Sequence, residues 1–266
     1  KLLCEPGNHQ HWAFGSENEV TSSGGNQKGK ILYSKFPCQF YVEMGVRHYI
    51  RDTSLVSINS KIDSLKKNDL WELRQLFDNK EISQSFFDIA KADRDCYYAS
   101  MAARVSLIKI YRMLQTQDKP YIFDNVDMLE NLKEIYAQYP PEDEKYLLST
   151  FWSEYATFYI ADYLQFSKPD FNFSKLREQR VNGEYNTIII NEAKSHLKGK
   201  ALEFFQAKYL FVQSIEGDYE KDLIPFFEQF KKDYPKSEYT RWIGPNIQKI
   251  IDYYEAIEKT YGENVK

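Results

Sequence analysis

The chain has few of the residues that break helices and form tight turns. Its 266 residues include 11 glycines and 9 prolines, too few for the many turns of an all-β fold. Among its three cysteines, Cys4, Cys38 and Cys96, no pair has C-x-x-C spacing, which excludes a zinc knuckle and a thioredoxin-type redox pair. No run of about 18 apolar residues occurs, so the sequence predicts no transmembrane helix.

The chain also lacks a basic character and the motifs of common catalytic sites. Its formal net charge is -4 and its sequence pI is about 5.7, whereas a nucleic-acid interface needs a basic face. The patterns G-x-G-x-x-G, P-loop, G-x-S-x-G and H-E-x-x-H do not occur in it. We therefore expect no nucleic-acid partner, no cofactor and no enzyme activity in this chain.

What the chain does have is a helical pattern of apolar residues, with a period of about 3.6 residues, from residue 28 onward. The predicted fold class is mainly α. We expect residues 26–266 to form a helical bundle with antiparallel helix hairpins, because short links join the last four helices. The predicted helices cover residues 28–36, 39–49, 55–79, 84–114, 126–138, 144–166, 184–197, 200–215, 219–232 and 237–260, with a looser stretch at 167–182.

Residues 1–25 predict a short amino-terminal β-hairpin, in which "KLLCE" and "HQHWAFG" flank a turn at Pro6-Gly7. An isolated two-stranded unit is barely stable in water. We therefore expect this hairpin to pack on the helices or to be the remnant of an upstream sheet.

The amino-terminal region also contains candidate metal and disulfide residues. His9 and His11 alternate along the predicted strand and share a face, and either Cys4 or Glu17 is a possible third zinc ligand. Two histidines without a spaced third ligand are a poor zinc pattern, so no metal site is predicted. Cys4 and Cys38 either form a disulfide, if the hairpin folds onto the first helix, or remain buried thiols.

Aromatic residues form a stripe on the predicted helix at residues 144–166. Trp152, Tyr155, Tyr159 and Tyr163 recur at a spacing of three or four residues, so they lie near one face of that helix. Such a stripe either packs in the core of the bundle or lines a groove that binds a glycan or another small molecule.

Charged residues interrupt otherwise apolar helices at Asp93, Asp95, Arg104, Glu154 and Asp162. Paired carboxylates can perform acid–base chemistry. Alternatively, Arg104 neutralises one of them in a buried pair that fixes helix register, and the structural interpretation is favoured. Cys96 would need Arg94 close by to be reactive, and a structural role is expected for it too.

The segment "FFEQFKKDYPKSEYTRW" predicts a sharp corner between two helices. Tyr234 closes the first helix, Pro235 prevents its continuation, and Ser237 is placed to cap the second. The corner is similar to the Tyr-Pro-x-Ser corner of tetratricopeptide helix hairpins. With one good copy and one partial echo at residues 136–146, the pattern favours hairpin packing over a repeat array.

The order of these features resembles the region before the thioredoxin module in TlpA-like thiol-disulfide envelope proteins. The matching pieces are "CEPGN" at residues 4–8, "SSGGNQKGKILYSKF" at 22–36, "FFDIAKADRDCYYASMAA" at 86–103 and "FKKDYPKSEY" at 230–239. In that family a module with a W-C-x-x-C site follows, and this chain contains no such motif.

The resemblance implies a non-catalytic accessory domain in the periplasm or cell envelope. Such a domain would position a carboxy-terminal thioredoxin-like module of the same parent chain or contact its client protein. The alternative is a helical binding protein that uses the aromatic stripe as a groove. An enzyme that uses Asp93 or Glu154 is the least supported possibility.

Overall fold

The computed structural model describes residues 11–14, 20–36, 46–49, 51, 54–115, 126–216 and 220–262. These residues are mostly helical, as the sequence predicts. The α-helices are α1 (Gln27–Lys35), α2 (Leu55–Asp78), α3 (Gln84–Gln115), α4 (Val126–Gln138), α5 (Trp152–Thr157), α6 (Leu164–Phe166), α7 (Phe173–Val181), α8 (Tyr185–His196), α9 (Gly199–Glu216), α10 (Leu223–Asp233) and α11 (Thr240–Tyr261). Two 3₁₀ segments, Arg47–Tyr49 and Glu144–Leu148, and a π-helical segment, Phe158–Tyr163, also form.

Two short strands near the amino terminus, β1 (His11–Phe14) and β2 (Val20–Ser23), pair antiparallel. This is not the predicted hairpin, whose first strand and Pro6-Gly7 turn lie outside the described residues, and a hairpin over residues 1–25 is not supported. β2 begins with Val20, which the prediction left unassigned. Valine is β-branched and favours an extended chain.

The chain divides into two compact units, and each is described by itself. The first comprises residues 1–116 and 124–159, and the second comprises 117–123 and 160–266. The division therefore falls within the segment Phe158–Tyr163. The predicted boundary at residue 25 stays a prediction.

Helix α3 is the central helix of the first unit. α2, α4 and α5 all pack against it, and every residue from 92 to 101 is buried. A helix that is buried all round lies inside its domain. A core cluster joins α1, α2 and the first turns of α3 through Tyr33, Phe36, Leu73, Ile82, Phe86, Phe87 and Ala90.

Serine side chains cap the two longest helices of the first unit. Ser54 Oγ accepts a hydrogen bond from the Ser57 N–H at 3.2 Å, and Ser83 Oγ accepts one from the Phe86 N–H at 3.1 Å. These bonds satisfy amide groups that the first turn of a helix leaves open. α2 runs without interruption from Leu55 to Asp78.

The predicted helix at residues 144–166 is not a single α-helix. A 3₁₀ segment ends at Leu148, α5 begins only at Trp152, and the chain becomes π-helical at Phe158. Ser149 explains the interruption, since its Oγ accepts from the Phe151 N–H at 3.1 Å. A serine side chain that bonds a nearby backbone group competes with the helix for it.

In the second unit α9, α10 and α11 pack against one another, and α8 packs on α9. Two predictions in this unit were wrong. The stretch 167–182 contains α7, which Asn172 caps by accepting a hydrogen bond from the Lys175 N–H at 3.0 Å. The last helix begins at Thr240, without a side-chain cap. Ser237 instead accepts from the Tyr239 N–H at 3.3 Å, within the preceding turn.

Candidate functional site

An apolar groove lies on the second unit between α9 and the start of α11. It has a volume of about 190 Å³ and is lined by Phe204, Ala207, Lys208, Phe211, Tyr239, Trp242 and Ile243. We call it the aromatic groove. A dry cavity of about 150 Å³ between apolar side chains holds a benzene molecule. The aromatic groove therefore has room for one aromatic or branched aliphatic side chain.

The corner between α10 and α11 positions the aromatic residues of this groove. Pro235 cannot continue α10, because proline lacks the N–H and its ring clashes with the preceding turn. The Ser237 N–H donates to the Tyr234 carbonyl at 3.0 Å, which closes the turn. The Tyr239 ring then stacks on Phe204 with ring centroids 5.6 Å apart. The corner and this stacked pair hold the start of α11 against α9.

Trp242 is the most exposed aromatic side chain of the groove. It is 60% exposed, although tryptophan is highly buried on average. The guanidinium of Arg241 lies 5.2 Å from its ring centroid. Burial, with the nearby charges of Glu203 and Glu238, raises the pKa of Tyr239, so this hydroxyl keeps its proton at neutral pH. The lining of the groove is mostly apolar and aromatic.

The predicted aromatic stripe is divided between the two units. Trp152, Tyr155 and Tyr159 belong to the first unit and Tyr163 to the second. Trp152 and Tyr155 have no exposed surface, whereas Tyr159 and Tyr163 are half-buried.

Packing accounts for the two buried members of the stripe. Trp152 Nε1–H donates to the Pro141 carbonyl at 2.9 Å, and the Tyr155 hydroxyl donates to the Tyr139 carbonyl at 2.8 Å. Burial also raises the pKa of Tyr155 well above its ordinary value. A buried aromatic residue with a satisfied polar end is a normal core residue. The binding role predicted for the four residues stays a prediction.

The buried charge in the first unit is centred on Arg94. Arg94 is fully buried, and its Nη2–H donates to Asp93 Oδ2 at 2.8 Å. The other carboxylate oxygen of Asp93 accepts from Ser149 Oγ at 3.0 Å. The Nη1 atom of Arg94 lies 3.7 Å from Asp69 Oδ2, which also accepts from the Tyr98 hydroxyl at 2.7 Å.

Aromatic rings surround the guanidinium of Arg94. Its central carbon lies 4.7 to 5.9 Å from four ring centroids, those of Tyr33, Phe36, Tyr97 and Phe151. Burial acts to lower the pKa of Arg94, but Asp93, Tyr33 and Asp69 together outweigh it and the net shift is upward. Burial raises the pKa of Asp69, against the opposing effects of Tyr98 and Arg94. The arrangement keeps a cation in the core and fixes α3 in place.

The other predicted charged residues occur in both units. Asp95 is buried and pairs with Lys91 at 2.5 Å. Arg94 neutralises Asp93, and the guanidinium of Arg104 lies 5.0 Å from the ring centroid of Phe158. Glu154 is half-buried in the first unit, and Asp162 is buried in the second.

Most of the histidine and cysteine candidates lie outside the part of the chain whose side chains the structure describes. The side chains of His9 and His11, and Cys4, Cys38 and Glu17, lie outside the described residues. Cys96 is buried in α3, where a structural thiol is expected to be inert. Among the residues that the structure describes, no group of three His, Cys, Asp or Glu side chains is placed to hold a metal ion.

Within the same described ranges, no helix combines the length and the apolar character that crossing a membrane requires.

Sequence reasoning used Tyr239 and Trp242 only as parts of a corner. A usable signal was present, because the apolar stripe of α11 runs through Ile243, Ile247 and Ile250, all of them buried. Trp242 lies outside that stripe. A large aromatic residue off the buried face of an amphipathic helix is a candidate contact residue.

No family model matches the chain, and no curated protein and no solved structure matches it either. The candidate site is therefore supported by its geometry alone.

Proposed function

We propose that this chain is a non-catalytic helical interaction domain whose aromatic groove holds an apolar side chain from a client protein. One observation carries the proposal. Trp242 is 60% exposed at the edge of an apolar groove of about 190 Å³. An exposed apolar patch of this kind is a typical feature of interaction sites.

The residue types of the groove support a protein partner. Tryptophan, tyrosine and arginine are enriched among the residues that contribute most to protein interfaces, and Trp242, Tyr239 and Arg241 lie together here. Arg241 pairs with Glu238 at 3.5 Å, with both side chains well exposed. Such a surface pair contributes little, so Arg241 is available to an acidic residue of the partner.

The size of the groove favours a short client segment over a folded module. Interfaces between domains of one chain typically bury about 600–1,500 Å², whereas this groove accommodates a single side chain. A peptide segment with one aromatic or branched aliphatic anchor and an acidic neighbour fits both the volume and the charge of Arg241.

Positioning of a carboxy-terminal thioredoxin-like module, and a periplasmic or envelope location, are proposed from the sequence resemblance alone. In that proposal the helices form a bundle with antiparallel hairpins that carries the module and presents the groove to its client. Glycan or small-molecule binding along the aromatic stripe is the weaker alternative, because Trp152 and Tyr155 have no exposed surface.

The groove is tested with peptides selected against the purified chain from a displayed random library. Their affinities are then measured by fluorescence anisotropy. We expect Trp242→Ala to weaken the selected peptides about 30-fold, since loss of an interface anchor costs about 2 kcal/mol or more. Trp71→Ala is the matched control, because Trp71 is 64% exposed and lies on α2 in the first unit. Equal affinities for both variants would refute the groove as the binding site.

The accessory role is tested separately. Purified chain should show no insulin reduction, and the parent reading frame should encode a W-C-x-x-C motif within about one domain length, on the order of 100–150 residues, past residue 266. Clear turnover, or a frame without the motif, would contradict the accessory role and leave the groove proposal standing.

A further inference from the structure

The first unit contains a cleft that has no part in the aromatic groove. It lies between α2 and α4, and Ala99 and Ala102 of α3 are part of its lining. We call it the polar cleft. Because alanine side chains are short, α3 leaves open space between its two neighbours at this point. The volume of the cleft is about 190 Å³.

The walls of the polar cleft carry polar residues at helical spacing. α2 contributes Asn59, Ile62, Asp63 and Lys66, and α4 contributes Asn131, Glu134, Ile135 and Gln138. Both sets follow the i, i+3, i+4, i+7 pattern of one helix face. A face that packs on a neighbouring helix is normally apolar, whereas three of the four positions are polar on each of these faces. Helix packing therefore does not explain why these residues line the cleft.

Two polar contacts between the walls frame the cleft. At one end Asn59 Nδ2–H donates to Asn131 Oδ1 at 2.6 Å, and Asn131 Nδ2–H donates to Ser106 Oγ at 2.9 Å. At the other end the ammonium of Lys66 contacts the Tyr139 hydroxyl. The two contacts are two helical turns apart along α2, roughly 10 Å at 1.5 Å per residue.

The cleft contains a polar atom whose hydrogen bond is missing. Asn59 Oδ1 is buried and has no hydrogen-bond partner within the part of the chain that the structure describes. Asn131 accepts from the Nδ2–H of Asn59 and donates to Ser106, so Asn59 turns its Nδ2 to Asn131 and its Oδ1 to the other side of the amide. A buried acceptor without a partner costs about 1–3 kcal/mol. A donor from a bound molecule would remove that cost.

The size and charge of the cleft define its ligand. A volume of about 190 Å³ is below the roughly 300 Å³ where sites for drug-sized ligands begin, and it corresponds to about six waters at ~30 Å³ each. Lys66 has Asp63 at 3.8 Å, and Glu134 adds a second carboxylate, so the lining disfavours anions. Hydroxyl groups both donate and accept hydrogen bonds, as this mixed lining requires.

From these observations we infer that the polar cleft binds a small neutral polyhydroxyl molecule of the size of a single sugar ring. Its hydroxyl groups donate to Asn59 Oδ1 and to the carboxylates of Asp63 and Glu134. They accept from the ammonium of Lys66.

The test is a titration of the full chain with neutral pyranose monosaccharides, followed by saturation-transfer and amide-shift NMR. Acetate and a small primary amine serve as charged comparison probes. We expect at least one monosaccharide to bind with a dissociation constant on the order of a millimolar or tighter, and the charged probes not to bind. Ala102→Leu should lower the affinity at least tenfold, because the added side chain fills the cleft. Ala137→Leu, on the exposed face of α4, should change nothing.

Glu134→Ala is the second variant, because Glu134 is exposed and its removal leaves the fold intact. It should weaken binding severalfold, whereas Glu130→Ala, one turn earlier on α4 and outside the cleft, should not. The inference is overturned if no monosaccharide binds at tens of millimolar. It is also overturned if only a charged probe binds, or if both cleft variants bind like the parent chain.

Discussion

Replacement of Arg94 by methionine tests how the core of the first unit is held together. Arg94 is fully buried, with Asp93 at 2.8 Å and Asp69 at 3.7 Å. Methionine matches the length of the arginine stem and keeps the contacts with the surrounding rings, but it removes the charge. Asp93, itself only 1% exposed, is then left as a buried carboxylate without its cation.

The expected cost follows from this geometry. Removing one partner of a buried ion pair destabilises a protein by about 3–5 kcal/mol. Loss of the cation over four rings adds to this destabilisation. The greater apolar character of methionine offsets part of that added cost. We therefore expect Arg94→Met to lower the free energy of unfolding by about 4 kcal/mol, which corresponds to a drop of about 8–16 °C in Tm for a unit of this size.

The assay is urea unfolding at pH 7, followed by circular dichroism at 222 nm. Arg74→Met is the matched control. Arg74 lies over the rings of Phe77 and Phe87 in the same unit, but it is exposed, and its loss should cost less than about 0.5 kcal/mol. The double variant Asp93→Asn/Arg94→Met should recover about 2 kcal/mol relative to Arg94→Met, because the uncompensated charge is gone. A cost below about 1 kcal/mol for Arg94→Met, or no recovery in the double variant, would refute the ion-pair account.

Two further predictions concern the same unit. Gly29→Ala should destabilise the unit by about 1–3 kcal/mol through overpacking, because a Cβ at this position would lie 2.5 Å from Ile82 Cγ2. Gly25→Ala is the control in the same urea assay, because a Cβ there would meet nothing within 4 Å. Equal effects of the two substitutions would contradict the clash. Burial raises the pKa of Asp69, so the folded state binds this proton more tightly than the unfolded state. The contribution of Asp69 to the stability of the fold is therefore present below the ordinary carboxyl pKa of about 3.9, and it is lost as pH rises through the pKa of the folded state. The unfolding free energy of the native chain minus that of Asp69→Asn should therefore fall as pH rises from about 4, and a rise would contradict the raised pKa.

Local signals were sufficient for much of the fold. α4 has the predicted bounds of 126–138, because its apolar period is regular and the sequence "YPP" ends it. α2 and α3 begin at the predicted residues, because serine caps their amino ends, and each ends within one residue of the prediction. Where propensity, capping and period agree, one sequence is enough to place a helix.

Contacts between distant residues determined what the sequence could not place. The break before α5 depends on Ser149, whose hydroxyl donates to a carboxylate 56 residues earlier, and no local pattern encodes that bond. The cation that pairs with Asp93 was also not predicted. Adjacent residues on a helix do not normally face each other, and the sequence offered Arg104 as the cation for one of the buried carboxylates. In the fold the adjacent Arg94 donates to Asp93 at 2.8 Å.

The aromatic residues discussed above occupy two settings, the core and the surface, and the proposed function uses the second. Rings around Arg94, together with Trp152 and Tyr155, are buried, and their negative faces and apolar area make a core that can contain a cation. Selection for packing is enough to explain them. Trp242 is different, because its ring is 60% exposed and core packing does not explain it. The corner at Pro235 places this ring beside an apolar groove instead of in the core. An aromatic stripe in the sequence therefore indicates the core, whereas a single aromatic residue off the buried face, next to a rigid corner, indicates the surface that a partner contacts.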